Sequence, residues 1–592
     1  VNARAMALIA LGALGIVLVA TAIRGEFTVD ESNYLVTIVG LRHGTLTVPG
    51  TANLTPSVEL AYFDPTSRAR RNPTSPIGST APPLYAFLAL PFSFFGWRGL
   101  VALNTLAYLT TIVLVFLLAK RHTARPSTPW IAAVTMAAGG YSIEYAQAVW
   151  PHALSAALCL AAFWLAALCR STDRPRFAPL AGLVAGLAIG VRYQNLVFAA
   201  AIGLGLLLWS SRRVAAAALF GAGCLVPLAA CSYINHVRLG SWNPVSKGPG
   251  YFALGEAGTL AGRVTESARV LYAKVVDFST HPVPNDTIAE ASSWWERDPK
   301  TGVVIFYGGI KKALLQSSPW LALAFVGLAL AFRRNAGGDV NTPQRNELRS
   351  LALVIAAVLL FFAYAGFARH DGISFNQRYF IELVPLGAVA AAWTLERRPF
   401  VPRGLVLGAE IGIAVGLLVL LLGTETAARQ RLEMMVPLAI AAALLLAFAP
   451  RAAERFPRAL TGAFAAAVAW AAVIHVGEDL RASRRCRTFK RSMLAAVEPW
   501  LPNGSVALIG NKPWSDVLAL TLLNRDGVIA DTWVDRGASV SRLAGDLVAD
   551  GRRTFVLGPG MSRAVLSDLR SAYTLTPVRA AIPLAAFEVT AR

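Results

Sequence analysis

The feature that most constrains this chain is a recurrence of apolar runs of about twenty residues, separated by short basic clusters. A helix rises about 1.5 Å per residue, so roughly 20 apolar residues cross about 30 Å of hydrocarbon. Such runs read at about 5–23, 99–119, 130–149, 151–169, 178–191, 194–209 and 213–234, and again at about 313–332, 350–368, 379–395, 404–423, 434–450 and 459–476. These make roughly 13 spans by hydrophobic patterning. The expected fold class is a polytopic α-helical membrane protein. Composition agrees, because 55% of the 592 residues are hydrophobic and 15% charged, too little polar surface for a soluble chain of this length.

Alternation from a cytoplasmic start puts Lys120, Arg121 and Arg125, Arg170 to Arg176, Arg212 and Arg213, Arg333 and Arg334, Arg397 to Arg403, and Arg451 to Arg458 on one face. By the positive-inside rule that face is the cytoplasm. The net charge of +21 is thereby topological, and nucleic acid is not an expected partner. Residues 82–96 are short for a span and read as an interfacial or re-entrant helix. The first run reads as an uncleaved span, although Ala20-Thr21-Ala22 resembles a cleavage site. Four of the five cysteines, Cys159, Cys169, Cys224 and Cys231, lie in or beside apolar runs and form no disulfide framework.

The opposite face receives residues 25–98, 235–312 and everything after about 477. Residues 1–480 therefore form a transmembrane domain and 481–592 a C-terminal extracytoplasmic domain. In the latter, strand-like runs 505–509, 527–530 and 554–557 alternate with helical patterns at 517–523 and 540–548, which predicts a small α/β fold. Machinery on one face, with no internal repeat, suits a membrane enzyme better than a transporter.

Asp30 and Glu31 stand immediately outside the first span with Tyr34 beyond them, where two carboxylates are either a solvated helix end or a functional pair. Glu144 lies at the outward end of the third span, followed by Trp150-Pro151-His152, and His152 alone has no ligand spacing. Arg378 and Tyr379 open an inward-going span, Arg192 and Tyr193 fall between two apolar segments, and Lys311-Lys312 precede the eighth span. An outer-face arginine either snorkels to headgroups or forks onto phosphate. Aromatics and amides in 235–312, such as Trp242-Asn243 and Trp294-Trp295, suit a sugar face or an interfacial belt equally.

Taken in order and on one side, these motifs resemble the GT-C glycosyltransferases. Asp30-Glu31 resembles the family's first-loop acidic pair, Ala81-Pro82-Pro83-Leu84-Tyr85 its Pro-Pro-Leu-Tyr segment, the run Gly186 to Asn195 its Gly-Leu-…-Arg-Pro-x-Asn run, and Phe375-Asn376-Gln377-Arg378-Tyr379-Phe380 its Gly-Pro-Arg-Tyr-Leu element. The similarity covers most of residues 1–400 and is to the branch of the aminoarabinose transferases and protein O-mannosyltransferases. The chain has Thr80-Ala81 where the aminoarabinose branch has Glu-Lys, so that branch's metal-binding carboxylate and phosphate-binding lysine are missing there.

The resemblance implies an inverting transfer of a sugar from a polyprenyl-phosphate donor to a lipid, glycan or protein acceptor on the outer face of a bacterial inner membrane. It implies Asp30 as base, with Glu31 and Glu144 as further catalytic carboxylates. It implies donor phosphate contacts from Arg378, Tyr379, Arg192 and Lys311, and substrate contacts from Tyr34, Tyr85, His152, Tyr193 and Asn376. A carboxylate partly withdrawn from water is a stronger base. No metal ligand set is identified, and a divalent metal ion is the one cofactor the resemblance admits. The rival readings are an outer-face ligase or polymerase using diphosphate-linked donors, and a lipid-linked sugar transporter; the latter needs ionisable residues within spans, where Glu410 is the main exception.

Overall fold

The computed structural model describes residues 3–25, 27, 29–46, 81–246, 260–278, 296–297, 304–305, 312–332, 342–365, 376–397, 400–423, 435–449, 454–498, 501–502, 505–509, 527–531, 538–549, 551–557, 563–578 and 586–592. In chain order the first helices are α1 (Ala3–Thr21), α2 (Val29–Arg42), α3 (Leu84–Ser93), α4 (Gly96–His122), α5 (Thr128–Ala138), α6 (Ser142–Ala146), α7 (His152–Thr172), α8 (Phe177–Val191), α9 (Asn195–Trp209), α10 (Arg213–Leu239) and α11 (Leu260–Val275). A two-residue ladder, β1 (Glu296–Arg297) with β2 (Val304–Ile305), follows. Then come α12 (Leu314–Ser317), α13 (Leu321–Phe332), α14 (Thr342–Tyr364), α15 (Leu383–Glu396), α16 (Pro402–Leu422), α17 (Met435–Phe448) and α18 (Pro457–Val497).

Among the described residues, α4, α7, α10, α14, α16 and α18 are long and apolar enough to cross a membrane, and seven further apolar helices are shorter. Two of the expected spans are broken. The run 130–149 divides into α5 and α6 because Gly139 and Gly140 lie hard against Thr135 and Ser318, and polar Ser142 and Glu144 follow. The run 313–332 divides at Ser318-Pro319, since proline removes a helical donor. Helix α2, which apolar patterning did not single out, carries Asp30 and Glu31 in its first turn and Arg42 in its last, charges that complement the helix dipole. The last apolar run continues as α18 far beyond 476 and through position 480.

Close approach is arranged by glycine. A Cβ on Gly182 would stand 1.9 Å from the Phe220 carbonyl oxygen, and one on Gly186 2.7 Å from that of Cys224, so α8 and α10 touch backbone to backbone. Gly190, one turn on, makes room for Leu84 of α3. The four-residue glycine spacing repeats on α16, where Gly408 and Gly412 lie against the carbonyls of Gly462 and Ala466 on α18, the small-residue contact that lets membrane helices pack without a hydrophobic driving force.

The C-terminal part holds β3 (Ser505–Ile509), β4 (Gly527–Asp531), α19 (Ala538–Ala549), β5 (Thr554–Leu557), α20 (Arg563–Ala572), β6 (Tyr573–Val578) and β7 (Ala586–Ala591). The sheet order is β4-β3-β5-β7-β6. The three strands expected from sequence form its parallel part, and β7 and β6 extend it antiparallel. The helical pattern at 517–523 lies outside the described residues.

Candidate active site

The site gathers at the N-terminal ends of α2, α3 and α7 and at the α8–α9 joint, beside the segment 376–380. Arg378 and Tyr379 belong to a 3-10 turn, Arg378–Phe380, that leads into α15. The Arg378 guanidinium donates to Asp30 at 2.5 Å and to the Tyr379 hydroxyl at 3.1 Å, and it lies 5.0 Å from the ring centroids of both Trp150 and Tyr379. Asp30 keeps 38% of its side chain exposed and Arg378 16%, so the pair faces an opening. Behind it the buried Lys274 ammonium of α11 stands 5.2 Å from the Tyr379 ring.

Glu31 is differently placed. It is 1% exposed and accepts from the amides of Phe27 (2.5 Å) and Val149 (2.9 Å) and from the Arg487 guanidinium of α18 (3.0 Å). Tyr34, one turn along α2, meets the Tyr85 ring edge-on at 5.0 Å, and the Tyr85 hydroxyl accepts from Asn104. His152 at the start of α7 is buried beside the rings of Tyr145 (4.9 Å) and Trp150 (4.3 Å), and neither of its ring nitrogens has a protein hydrogen-bond partner.

Arg192 caps α8 in extended backbone and is paired, buried, with Glu382. Ser155 donates to the same carboxylate at 2.6 Å, and Asn195 donates to Ser155 and back to the Ala188 carbonyl, closing the helix end. Thus the Gly186 to Asn195 run is a close-packed helix, a break that presents Arg192, and an asparagine that seals the break. Tyr193 is linked through Asn235 to Arg238, which donates to the Ala81 carbonyl and so holds the Pro-Pro segment.

Glu144 lies in the 139–151 connection, outside the spans. Its carboxylate accepts from Asn376 at 3.1 Å, and the Tyr145 hydroxyl donates to the same asparagine at 2.6 Å. Burial, and then the nearby Asp479 carboxylate, push the Glu144 carboxyl well above the usual range. Asp479 of α18 is in turn ion-paired with Lys312, both side chains 1% exposed or less. Asp30, Arg378, Tyr379, Tyr34, Tyr85, Arg192, Tyr193, His152, Asn376 and Glu144 are therefore brought around one region by these contacts, while Lys311 lies outside the described residues.

Sequence reasoning passed over Lys274, Glu382, Asp479 and Arg487. Glu478-Asp479 carries the same signal as Asp30-Glu31, an acidic pair just beyond an apolar run. No three His, Cys, Asp or Glu side chains converge as metal ligands among the described residues. The buried carboxylates of Glu144 and Asp479 already neighbour the Lys312 ammonium, so that place does not fit a divalent ion.

A cavity of about 770 Å³ runs between α5 and α15 on one side and α16 and α18 on the other, from Ser127 and Leu405 to Ile143 and Leu480. Its lining is almost wholly apolar and includes Ile143 and Leu480, the chain neighbours of Glu144 and Asp479.

No protein-family model matches the chain, and no curated protein sequence does. Among solved structures it is similar to ArnT from Cupriavidus metallidurans in the apo state, with TM-score 0.53 and 13% identity over 99% of this chain and 98% of that one. It is likewise similar to ArnT from the same organism bound to undecaprenyl phosphate, with TM-score 0.55 and 13% identity over 98% and 97%. What that likeness establishes is architecture: from its first helix to its last strand, this chain has the fold of ArnT.

Proposed function

We propose that the protein is an integral-membrane glycosyltransferase that moves a sugar from a polyprenyl-phosphate donor to a lipid, glycan or protein acceptor at the periplasmic face of a bacterial inner membrane. The observation that carries this reading is the Asp30–Arg378 pair, a half-exposed carboxylate bonded at 2.5 Å to a guanidinium beside Tyr379 and Lys274. It gives one place where a hydroxyl proton is accepted and a phosphate is held. The apolar cavity beside the neighbouring polar cluster supports a lipid-borne donor, and the fold is one in which ArnT has been seen with undecaprenyl phosphate.

In the reaction, the acceptor oxygen forms a bond to the anomeric carbon while the bond from that carbon to the phosphate oxygen breaks. The acceptor proton passes to Asp30, and polyprenyl phosphate leaves with the electron pair, held by the Arg378 fork. Attack opposite the departing phosphate inverts the anomeric centre. Tyr34, Tyr85, Tyr193 and His152 frame the space in which the sugar is oriented, and the Arg192–Glu382 pair closes the helix end behind it. Glu31 fixes the helix turn that presents Asp30.

The test is incorporation of labelled sugar from a panel of polyprenyl-phosphate sugars into membranes containing the native chain or Asp30→Asn. Native incorporation from one of them should fall by about 10²- to 10⁴-fold in the variant. Full turnover in Asp30→Asn, or turnover of diphosphate-linked glycans only, would sink the reading.

A further inference from the structure

Resting on that reading of Asp30 and Arg378, we propose that α18 is the clamp that sets their spacing, with Asp479 and Arg487 as its two positioning residues. Both halves of the pair are tied to this one helix. On the Asp30 side, Arg487 donates to the Glu31 carboxylate at 3.0 Å and to the Gly25 carbonyl, bracketing the first turn of α2. Gly25 is pressed against α18 so closely that a Cβ there would stand 2.5 Å from the Arg487 carbonyl oxygen.

On the Arg378 side, Asp479 binds Lys312 and adjoins Glu144. Glu144 grips the Asn376 side chain, two residues before Arg378. The Lys312 carbonyl accepts from the Gln377 side-chain amide at 3.0 Å, and the Tyr141 hydroxyl donates to the Gln377 backbone carbonyl at 2.9 Å. Asn376 and Gln377 are both 1% exposed or less, so the guanidinium that follows them starts from a fixed backbone.

Asp479 and Arg487 are eight residues apart, a separation of about 12 Å along a helix. A continuous helix holds that separation rigidly, whereas α2 and the 376–380 segment have no direct backbone pairing with each other among the described residues. The two attachments have different chemistry. Arg487 is a buried cation on a carboxylate, and Asp479 a buried carboxylate on a cation, so each loses its purpose when its charge is removed. Neither residue is given a part in the bond-making step.

The first experiment needs no donor. Asp30→Cys and Arg378→Cys are introduced together into the full chain, whose own described cysteines are all buried, and joined with a short bifunctional thiosulfonate. Cross-linking should be fast, and several-fold slower when Asp479→Asn or Arg487→Gln is added. An unchanged rate in both overturns the clamp, whatever the donor proves to be.

The second is kinetic. Asp479→Asn should raise KM for the polyprenyl-phosphate sugar far more than it lowers kcat, and Asp479→Glu should restore it. In an Arg378→Ala background, Asp479→Asn should change nothing further. An equal loss in both backgrounds, with no rescue by glutamate, would make Asp479 a merely structural residue and defeat the proposal. A protein that cross-links as expected yet turns over no monophosphate donor leaves the clamp standing and removes the functional reading instead.

Discussion

Asp30 and Glu31 are adjacent in sequence and live in different media. Asp30 is 38% exposed against one arginine, whereas Glu31 is sealed among two amides and Arg487. Removing one partner of a buried ion pair costs roughly 3–5 kcal/mol. Glu31→Ala should therefore lower the melting temperature of the detergent-solubilised protein sharply, while Asp30→Asn leaves it within a degree or two of native; equal melting of all three would contradict the assigned burial. That an acidic pair ends an apolar run is legible in the sequence, because charges stand out there. Which carboxylate stays exposed is not, since it depends on Arg378 and Arg487, 348 and 456 residues away.

Glu144 offers a test with a sign. Its carboxyl titrates above the ordinary range of about 4.3, so the folded protein binds that proton more tightly than the unfolded chain. The native contribution is thus fullest at low pH and is lost as pH rises from the ordinary carboxylate range towards the folded value. Gln at this position keeps the bond to Asn376 and carries no titrating proton. The melting temperature of Glu144→Gln should fall less than that of the native chain between about pH 5 and pH 8, with turnover retained. A loss of turnover like that of Asp30→Asn would make Glu144 a reacting group.

Helices are legible where the apolar run is long, as in α4, α7, α10 and α16, because lipid demands about twenty predominantly apolar residues in a row. Their interruptions are not, for Pro227 in α10 and Glu410 in α16 leave the helix continuous whereas Gly139-Gly140 and Ser318-Pro319 break it, an outcome decided by what packs there. Helix α2 escaped hydropathy reading because its stabilisation comes from packing against α3 and from its charged ends. The α16–α18 contact is the element most open to challenge. Gly408→Leu must displace the Gly462 backbone, which a Cβ alone already approaches to 2.1 Å. Overpacking of this kind costs about 1–3 kcal/mol, and the variant should melt earlier in detergent, with Gly221→Leu, where nothing lies within 4 Å, as the unaffected control.

For the molecule as a whole, the order of its apolar helices could be read from the chain, but the convergence of α2, the α8–α9 joint, 376–380 and α18 could not. The expected orientation is directly measurable: Lys120→Cys should react with an impermeant thiol reagent only from the cytoplasmic side, and a reporter fused after Arg592 should be active only outside. The shortness of α8 and α9 has a consequence for encounter. Fifteen residues of helix extend about 22 Å, less than the roughly 30 Å hydrocarbon layer, so on the expected orientation, with Arg176 and Arg212–Arg213 anchored at the inner boundary, the joint that presents Arg192 stops short of the outer one. On the proposed function, a donor anchored in the leaflet then finds the site by a search in two dimensions. Its rate of transfer should follow its mole fraction in the micelle or bilayer and stay constant on dilution at fixed mole fraction, whereas dependence on bulk concentration would put the point of entry in water.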